Sequence, residues 1–215
     1  MLKNNILLIL FFCALPHMVL ATEPLIVDRF DEGLLAWEVK KFSGETIYAV
    51  QIDGNGNSVL SARSKASASG LLKHIEFDPE KYPVLTWRWK IARTLSKGDA
   101  RSKQGDDYAA RIYVIFPHWI KPLSRTINYI WANRLPVEEA VSSPYLSRDM
   151  MLAVESGDNK AGQWVSEERN LVADFRRLFG VNPPMGGGIA IMTDTDGTKE
   201  EAQAWYDDLI LHPAK

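Results

Sequence analysis

Val84-Leu-Thr-Trp-Arg-Trp-Lys-Ile91 places Trp87, Trp89 and Ile91 on one side of an extended chain and Thr86, Arg88 and Lys90 on the other. Successive side chains of a strand point to opposite faces, so this period of two reads as a strand with one apolar and one polar face. Tyr108-Ala-Ala-Arg-Ile-Tyr-Val-Ile-Phe116 repeats the pattern, setting Tyr108, Ala110, Ile112, Val114 and Phe116 against Ala109, Arg111, Tyr113 and Ile115. Each run carries an arginine at mid-strand on the face away from the apolar one. Outward from these two, short β-type runs at residues 25–30, 47–52, 58–63, 70–77, 126–132, 150–154, 188–192 and 204–211 alternate with turn residues. Asp53-Gly-Asn-Gly-Asn57 between two of them is a hairpin signal, because glycine and asparagine tolerate positive φ. About ten strands at this spacing predict an all-β fold, a two-sheet antiparallel β-sandwich or jelly roll. One segment departs from the period: Leu171, Val172, Phe175, Leu178 and Phe179 fall at helical spacing between an Asn170 cap and a Gly180 stop. A single amphipathic helix over Leu171–Phe179 closes one end of the sandwich.

The chain opens with Lys3, an apolar run from Ile6 to Leu15, and small residues after Pro16, the order of a signal peptide. Val19 and Ala21 suit a small-residue cleavage site, so residues 1–21 are expected to be removed and residues 22–215 to form one domain. The run is too short for a membrane anchor of roughly 18 or more apolar residues, so the mature chain is expected to carry none. The expected location is periplasmic or secreted. Cys13, the only cysteine, lies in the removed segment, and no disulfide or thiol nucleophile remains. Lys+Arg 25 against Asp+Glu 27 leaves no basic field for a nucleic-acid backbone. The seven tryptophans suit a sandwich core and a sugar-stacking surface alike.

Few residues form a catalytic pattern. His74, His118 and His212 have no second ligand at metal spacing, and no Gly-x-Ser-x-Gly occurs. Gly186-Gly187-Gly188 lacks the Lys and Ser/Thr of a phosphate cradle and reads as a turn before a strand. Asp53-x-Asn55-x-Asn57 and Asp194-x-Asp196-Gly197 resemble the opening of a calcium loop but lack its downstream acid. Asp207-Asp208 interrupts the apolar terminal strand 205–211, so one carboxylate is expected to face the buried side. Such a group needs a structural calcium or an arginine or lysine partner. Asp106-Asp107 and Glu167-Glu168 supply further acids, and a hydrolytic pair would have to come from different strands.

Tyr82-Pro-Val-Leu-Thr-Trp-Arg-Trp-Lys90, Gly105-Asp-Asp-Tyr-Ala-Ala-Arg-Ile-Tyr-Val-Ile-Phe116, Asn128-Tyr-Ile-Trp-Ala-Asn133, Met192-Thr-Asp-Thr-Asp196 and Trp205-Tyr-Asp-Asp-Leu209 carry a resemblance. On these blocks the chain resembles the secreted bacterial family called domain of unknown function 3047, a name that implies no activity. Asp28-Arg-Phe-Asp31 with Trp37, and the Trp205–Leu209 block, also look like the first and last strands of galactose-binding-like and carbohydrate-binding jelly rolls. That likeness implies a last-strand aspartate near a structural calcium. The sequence reading favours a binding module for a carbohydrate or other cell-envelope ligand, with Arg88, Arg111 and Tyr113 as platform, Trp131 as stacking partner, and Asp207 and Asp208 as metal candidates. A glycan-cleaving enzyme on the same scaffold and a structural or partner-binding periplasmic protein remain the alternatives.

Overall fold

The two arginine-bearing strands lie in different sheets, with their apolar faces turned toward one another. The computed structural model describes residues 22–214; the expected signal peptide and its cleavage site lie outside the described residues. In chain order the strands are β1 (Leu25–Asp28), β2 (Glu38–Ser43), β3 (Ile47–Ile52), β4 (Ser58–Lys65), β5 (Ala68–Phe77), β6 (Val84–Ile91) and β7 (Arg111–Phe116). They continue with β8 (Arg125–Ala132), β9 (Ala140–Ser142), β10 (Asp149–Ser156), β11 (Val165–Asn170), helix α1 (Leu171–Phe179), β12 (Gly186–Asp194) and β13 (Glu201–His212). A six-stranded sheet has the order β11-β6-β13-β4-β3, with β1 also paired to β13; a seven-stranded sheet has the order β2-β5-β12-β7-β8-β10-β9. The fold is a mostly β two-sheet sandwich with one helix, as the alternation predicts.

Pairing is antiparallel except between β8 and β10, which run parallel, with the three-residue β9 added outside β10. The three strands the sequence reading does not anticipate, β2, β9 and β11, are all edge strands. Edges pack on one side only, and charged residues such as those of Glu38-Val-Lys-Lys41 and Glu167-Glu-Arg169 discourage further pairing. Helix α1 has the expected bounds: Asn170 Oδ1 accepts from the Ala173 amide at 2.9 Å, and Gly180 closes the helix at φ 72°.

Aromatic rings fill the space between the sheets. Trp87 meets Tyr129 at 5.3 Å between ring centroids, and Trp89 meets Trp131 at 5.7 Å. Trp131 is therefore not a stacking platform. It faces inward on β8, is 0% exposed, and donates from Nε1 to the Gly157 carbonyl at 3.0 Å. Tyr108 also departs from its expected face, because β7 begins only at Arg111. Its ring joins Ile130, Ala132 and Met151 in a second cluster on the outer side of the seven-stranded sheet.

Two local irregularities correct the sequence reading. Register slips between Asp207 and Ile210, with Asp208 at φ 52°, so β13 carries a bulge. Tyr206 and Leu209 both join the core across it, and neither aspartate has to face inward. The triple glycine lies inside β12 rather than in a turn before it. A Cβ on Gly186 would fall 2.2 Å from the Phe77 ring, so the absence of a side chain is what lets β12 and β5 close up there.

Because Trp131 is fully buried, Trp131→Ala should leave a cavity and lower the unfolding free energy by about 3–5 kcal/mol in urea titrations. A loss below about 1 kcal/mol would place the ring outside the core.

Candidate functional site

Arg88 and Arg111 occupy outer faces on opposite sides of the sandwich, so they cannot form one platform. The strict alternation of β6 and β7 fixes each arginine as outward-facing but carries no information about which sheet the strand joins. Arg88 sits in a closed cluster. Its Nε donates to Asp207 Oδ2 at 3.1 Å and lies 3.0 Å from Asp208 Oδ2, its Nη2 also bonds Asp207, and its guanidinium stacks on Trp164 at 4.6 Å. Arg29 adds a contact to Asp208 at 3.5 Å, and Asp207 Oδ1 accepts from the Asp208 amide. These carboxylates have the arginine partners that a buried acid requires. Their donor set of guanidinium and backbone N–H groups does not suit a calcium ion. Asp53, whose Oδ1 accepts from the Asn55 and Asn57 amides at 2.8 and 3.0 Å, is likewise committed to its hairpin turn.

Arg111 stands on the floor of a cleft of about 500 Å³ on the outer face of the seven-stranded sheet. The floor follows from strand register. Arg111 and Tyr113 on β7 lie beside Met192 and Ala190 of β12, while Asn128 lies between Tyr113 and Met151 across β8. Phe42 of β2 and Tyr145 with Leu146, before β10, line the cleft from opposite edges of the sheet, and all three are exposed. The Tyr145 hydroxyl donates to the Lys103 carbonyl at 3.1 Å, tying its loop to the segment that covers the second cluster. Tyr113, one of the expected site residues, lines the cleft beside Arg111.

Charge in the cleft is arranged around Arg111, which is 5% exposed. Its Nη2 bonds Asp194 Oδ2, its Nη1 lies 3.6 Å from Asp106 Oδ1, and its guanidinium lies 5.0 and 5.5 Å from the Tyr108 and Tyr113 ring centroids. Burial works against its charge, but Asp194 first, then Tyr113 and Asp106, outweigh that effect and hold it protonated. Burial raises the Asp106 carboxyl, against the pull of Arg111. It pushes Asp149 up to about 7, with Arg111 opposing and Asp106 adding.

Several buried polar atoms in and under this cleft have no hydrogen-bond partner: Asp106 Oδ1, Arg111 Nε, Asp149 Oδ1, and both amide atoms of Asn128, which is 0% exposed. Buried polar atoms normally find partners, so this concentration under one cleft marks a place where a ligand or water completes the bonding. Asp107, Asp194 and Asp196 bring carboxylate oxygens within 4.8 Å of one another, close enough for a metal ion. Most of those oxygens already accept donors, however. Asp107 takes the Gly197 and Thr198 amides, and Asp194 takes Arg111 and the Tyr108 amide. The site thus unites Arg111, Tyr113 and Asp106 from the sequence reading with Phe42, Asn128, Tyr145 and Asp149, which that reading does not single out. Asn128 inside the apolar run Ile127–Ile130 was the one available signal.

Fold and site together define a two-sheet sandwich with a polar-floored cleft on the outer face of its larger sheet. The chain belongs to the family described as protein of unknown function (DUF3047), whose model matches residues 35–210. No curated protein matches the sequence. Among solved structures, the chain is similar to a family 11 carbohydrate-binding module from Clostridium thermocellum at 13% identity and TM-score 0.46, covering 88% of this chain and 95% of that one. It is also similar to a non-crystalline cellulose specific carbohydrate-binding module, CBM28, at 14% identity and TM-score 0.44, covering 89% and 96%. The sandwich assignment itself rests on the strand pairings above.

Asp149 generates a pH prediction. Between the ordinary carboxylate range near 4 and its own value of about 7, the folded chain keeps a proton that the unfolded chain has released. Its contribution to stability is therefore lost as pH rises through that window. Asp149→Asn should raise the melting midpoint at pH 8 relative to wild type and reduce the fall between pH 5 and pH 8. Glu167, also raised to about 7 by burial and then by Glu155, accounts for part of the remainder. Parallel wild-type and variant profiles from scanning calorimetry would contradict the assignment.

Proposed function

We propose that the chain is a secreted carbohydrate-binding protein whose ligand lies in the cleft over Arg111. The observation that supports this most is the composition of the cleft. Asp106, Asp149 and Arg111, each with a buried polar atom that makes no hydrogen bond, line its floor, and Phe42, Tyr145 and Leu146 form its apolar lips. A sugar ring has the same two-sided character, with hydroxyls at its edge and C–H groups on its faces. Carboxylates and a planar guanidinium suit the hydroxyls, and aromatic rings suit the faces. The apolar run 6–15 supports delivery across the inner membrane, with residues 22–215 as the mature chain. The raised carboxyls Asp106 and Asp149, sharing one cleft, favour glycan cleavage as a second reading. Reducing-end release from a bound oligomer separates cleavage from binding alone.

Screening the mature chain against neutral, acidic and amino-sugar oligomers by glycan array, followed by calorimetry, tests the proposal. Phe42→Ala with Tyr145→Ala, two exposed residues, should weaken the captured oligomer about tenfold or more while leaving the melting midpoint nearly unchanged. If that pair changes nothing and Trp164→Ala abolishes capture instead, the site is on the opposite face and the proposal fails.

A further inference from the structure

The loop between β7 and β8 presents Trp119 to solvent at 86% exposure, with Ile120 beside it at 39%. Neither side chain joins a core cluster. The loop is nevertheless closely bonded. Ser124 Oγ accepts from the His118 amide at 3.0 Å, His118 Nδ1 accepts from the Ile120 amide at 3.0 Å, and a 3₁₀ turn over Lys121–Leu123 follows. The His118 ring stacks on Trp119 at 5.8 Å between centroids. An ordered loop that holds a large apolar side chain outward marks a surface that another body covers.

Apolar and basic residues gather at this end of the sandwich. A Cβ on Gly187 would fall 2.6 Å from Pro117, so the exposed Met185, two residues earlier, enters β12 beside the loop. Arg125, just after the loop, lies over the Phe175 and Phe179 rings at 5.9 and 5.6 Å, which brings the end of α1 and the exposed Val181 to the same rim. Residues 108–137 and 175–193 contain no Asp or Glu, although the chain has Asp+Glu 27. Lys121, Arg125, Arg176 and Arg177 lie within them. The neighbouring β5–β6 turn adds Asp78 and Glu80 next to Lys81, and the segment before β10 adds Arg148.

We infer that this rim docks on a bilayer surface containing anionic phospholipid, with Trp119 and Ile120 entering the interface and Lys121 and Arg125 meeting headgroup phosphates. Tryptophan suits the headgroup level because its ring is apolar and its N–H is polar. Interfacial binding sums the apolar area buried and the attraction of cations to anionic lipid, and this rim offers both. A sugar would stack on Trp119 but would leave the aliphatic Ile120, Val181 and Met185 without a role. A second copy set rim to rim would bring like charges together. The inference goes beyond the cleft reading and does not depend on what the cleft binds.

Vesicle flotation of the chain over residues 22–215 tests the inference, with phosphatidylcholine alone and with about one third phosphatidylglycerol added. The anionic vesicles should capture the chain at least about tenfold more strongly than the neutral ones, and the difference should shrink as salt is raised. Trp119→Ala with Ile120→Ala should weaken capture about tenfold or more, and Lys121→Gln about fivefold. Melting curves should not move, since these side chains lie outside the core. Ile47→Ala removes an equally exposed type of side chain at the other end of the sandwich, where the adjacent Thr46 bonds Ser69 and Thr193, and should change nothing. No capture by anionic vesicles, or equal capture by neutral ones, would overturn the inference. An equal loss in Ile47→Ala would reduce it to general stickiness and overturn it as well. Sedimentation velocity supplies the remaining check: a wild-type dimer that Trp119→Ala with Ile120→Ala converts to monomer would assign the rim to a second copy instead. None of these outcomes bears on the carbohydrate reading, which the glycan screen tests separately.

Discussion

Arg111 and Asp194 form a buried ion pair across the seam between β7 and β12, and the cleft is built around it. Two charges taken out of water need each other and further hydrogen bonds to persist there. Asp194 uses its second oxygen on the Tyr108 amide, which fixes the entry to β7. The neighbouring acid Asp107 gathers the Gly197 and Thr198 amides, and Asn133 donates to the Asp107 carbonyl. The charge pair and Asp107 together tie the segment before β7 to β12, the turn after it and the end of β8. All but the last of these pieces supply Asp106, Asp194 and Asp196 to the cleft lining, and Tyr113, two residues along β7, extends its floor.

The other outer face shows the same residue types more fully paired. Arg88 is enclosed by Asp207, Asp208 and Trp164, while Lys90 lies 5.2 Å from the Trp164 ring centroid and 4.4 Å from that of Trp205. There Arg88 has two carboxylate partners, and Trp164 and Trp205 each have a cation above the ring. The contrast explains why the cleft over Arg111, and not the arginine over Trp164, carries the functional reading: several buried donors and acceptors without hydrogen bonds gather in and under a cleft of about 500 Å³.

Much of the architecture was legible in the sequence because burial on one face of a strand writes itself as alternation. Val84–Ile91, Ile47–Ile52 and the helix Leu171–Phe179 have the bounds that their periods indicate. Edge strands β2, β9 and β11 were not legible, since a strand with little apolar face leaves little period to read. The site was half legible. Alternation identified Arg111 and Tyr113 as outward-facing, but it could not separate Arg88 from Arg111, because sheet membership is decided by long-range pairing. Trp131 was misread for a related reason: an aromatic residue looks alike in a core and on a platform until the sheet that covers it is known. For Asp207-Asp208 the expected arginine partner is present, but the inward-facing carboxylate was misread, because a one-residue bulge resets the phase of β13 and a positive φ at aspartate leaves no clear mark in composition. Asp149 and Tyr145 join the site only through the parallel return of β10 beside β8, a topology that no local pattern encodes.

The most direct test of this account is a double-mutant cycle on Arg111→Gln and Asp194→Asn, read by chemical denaturation at neutral pH. Each single substitution strands a buried partner and should cost about 3–5 kcal/mol, whereas the double substitution removes both charges and should cost at least about 2 kcal/mol less than the sum. Costs that add to within about 0.5 kcal/mol would show that the two groups do not depend on each other, and the cleft would need a different organising interaction.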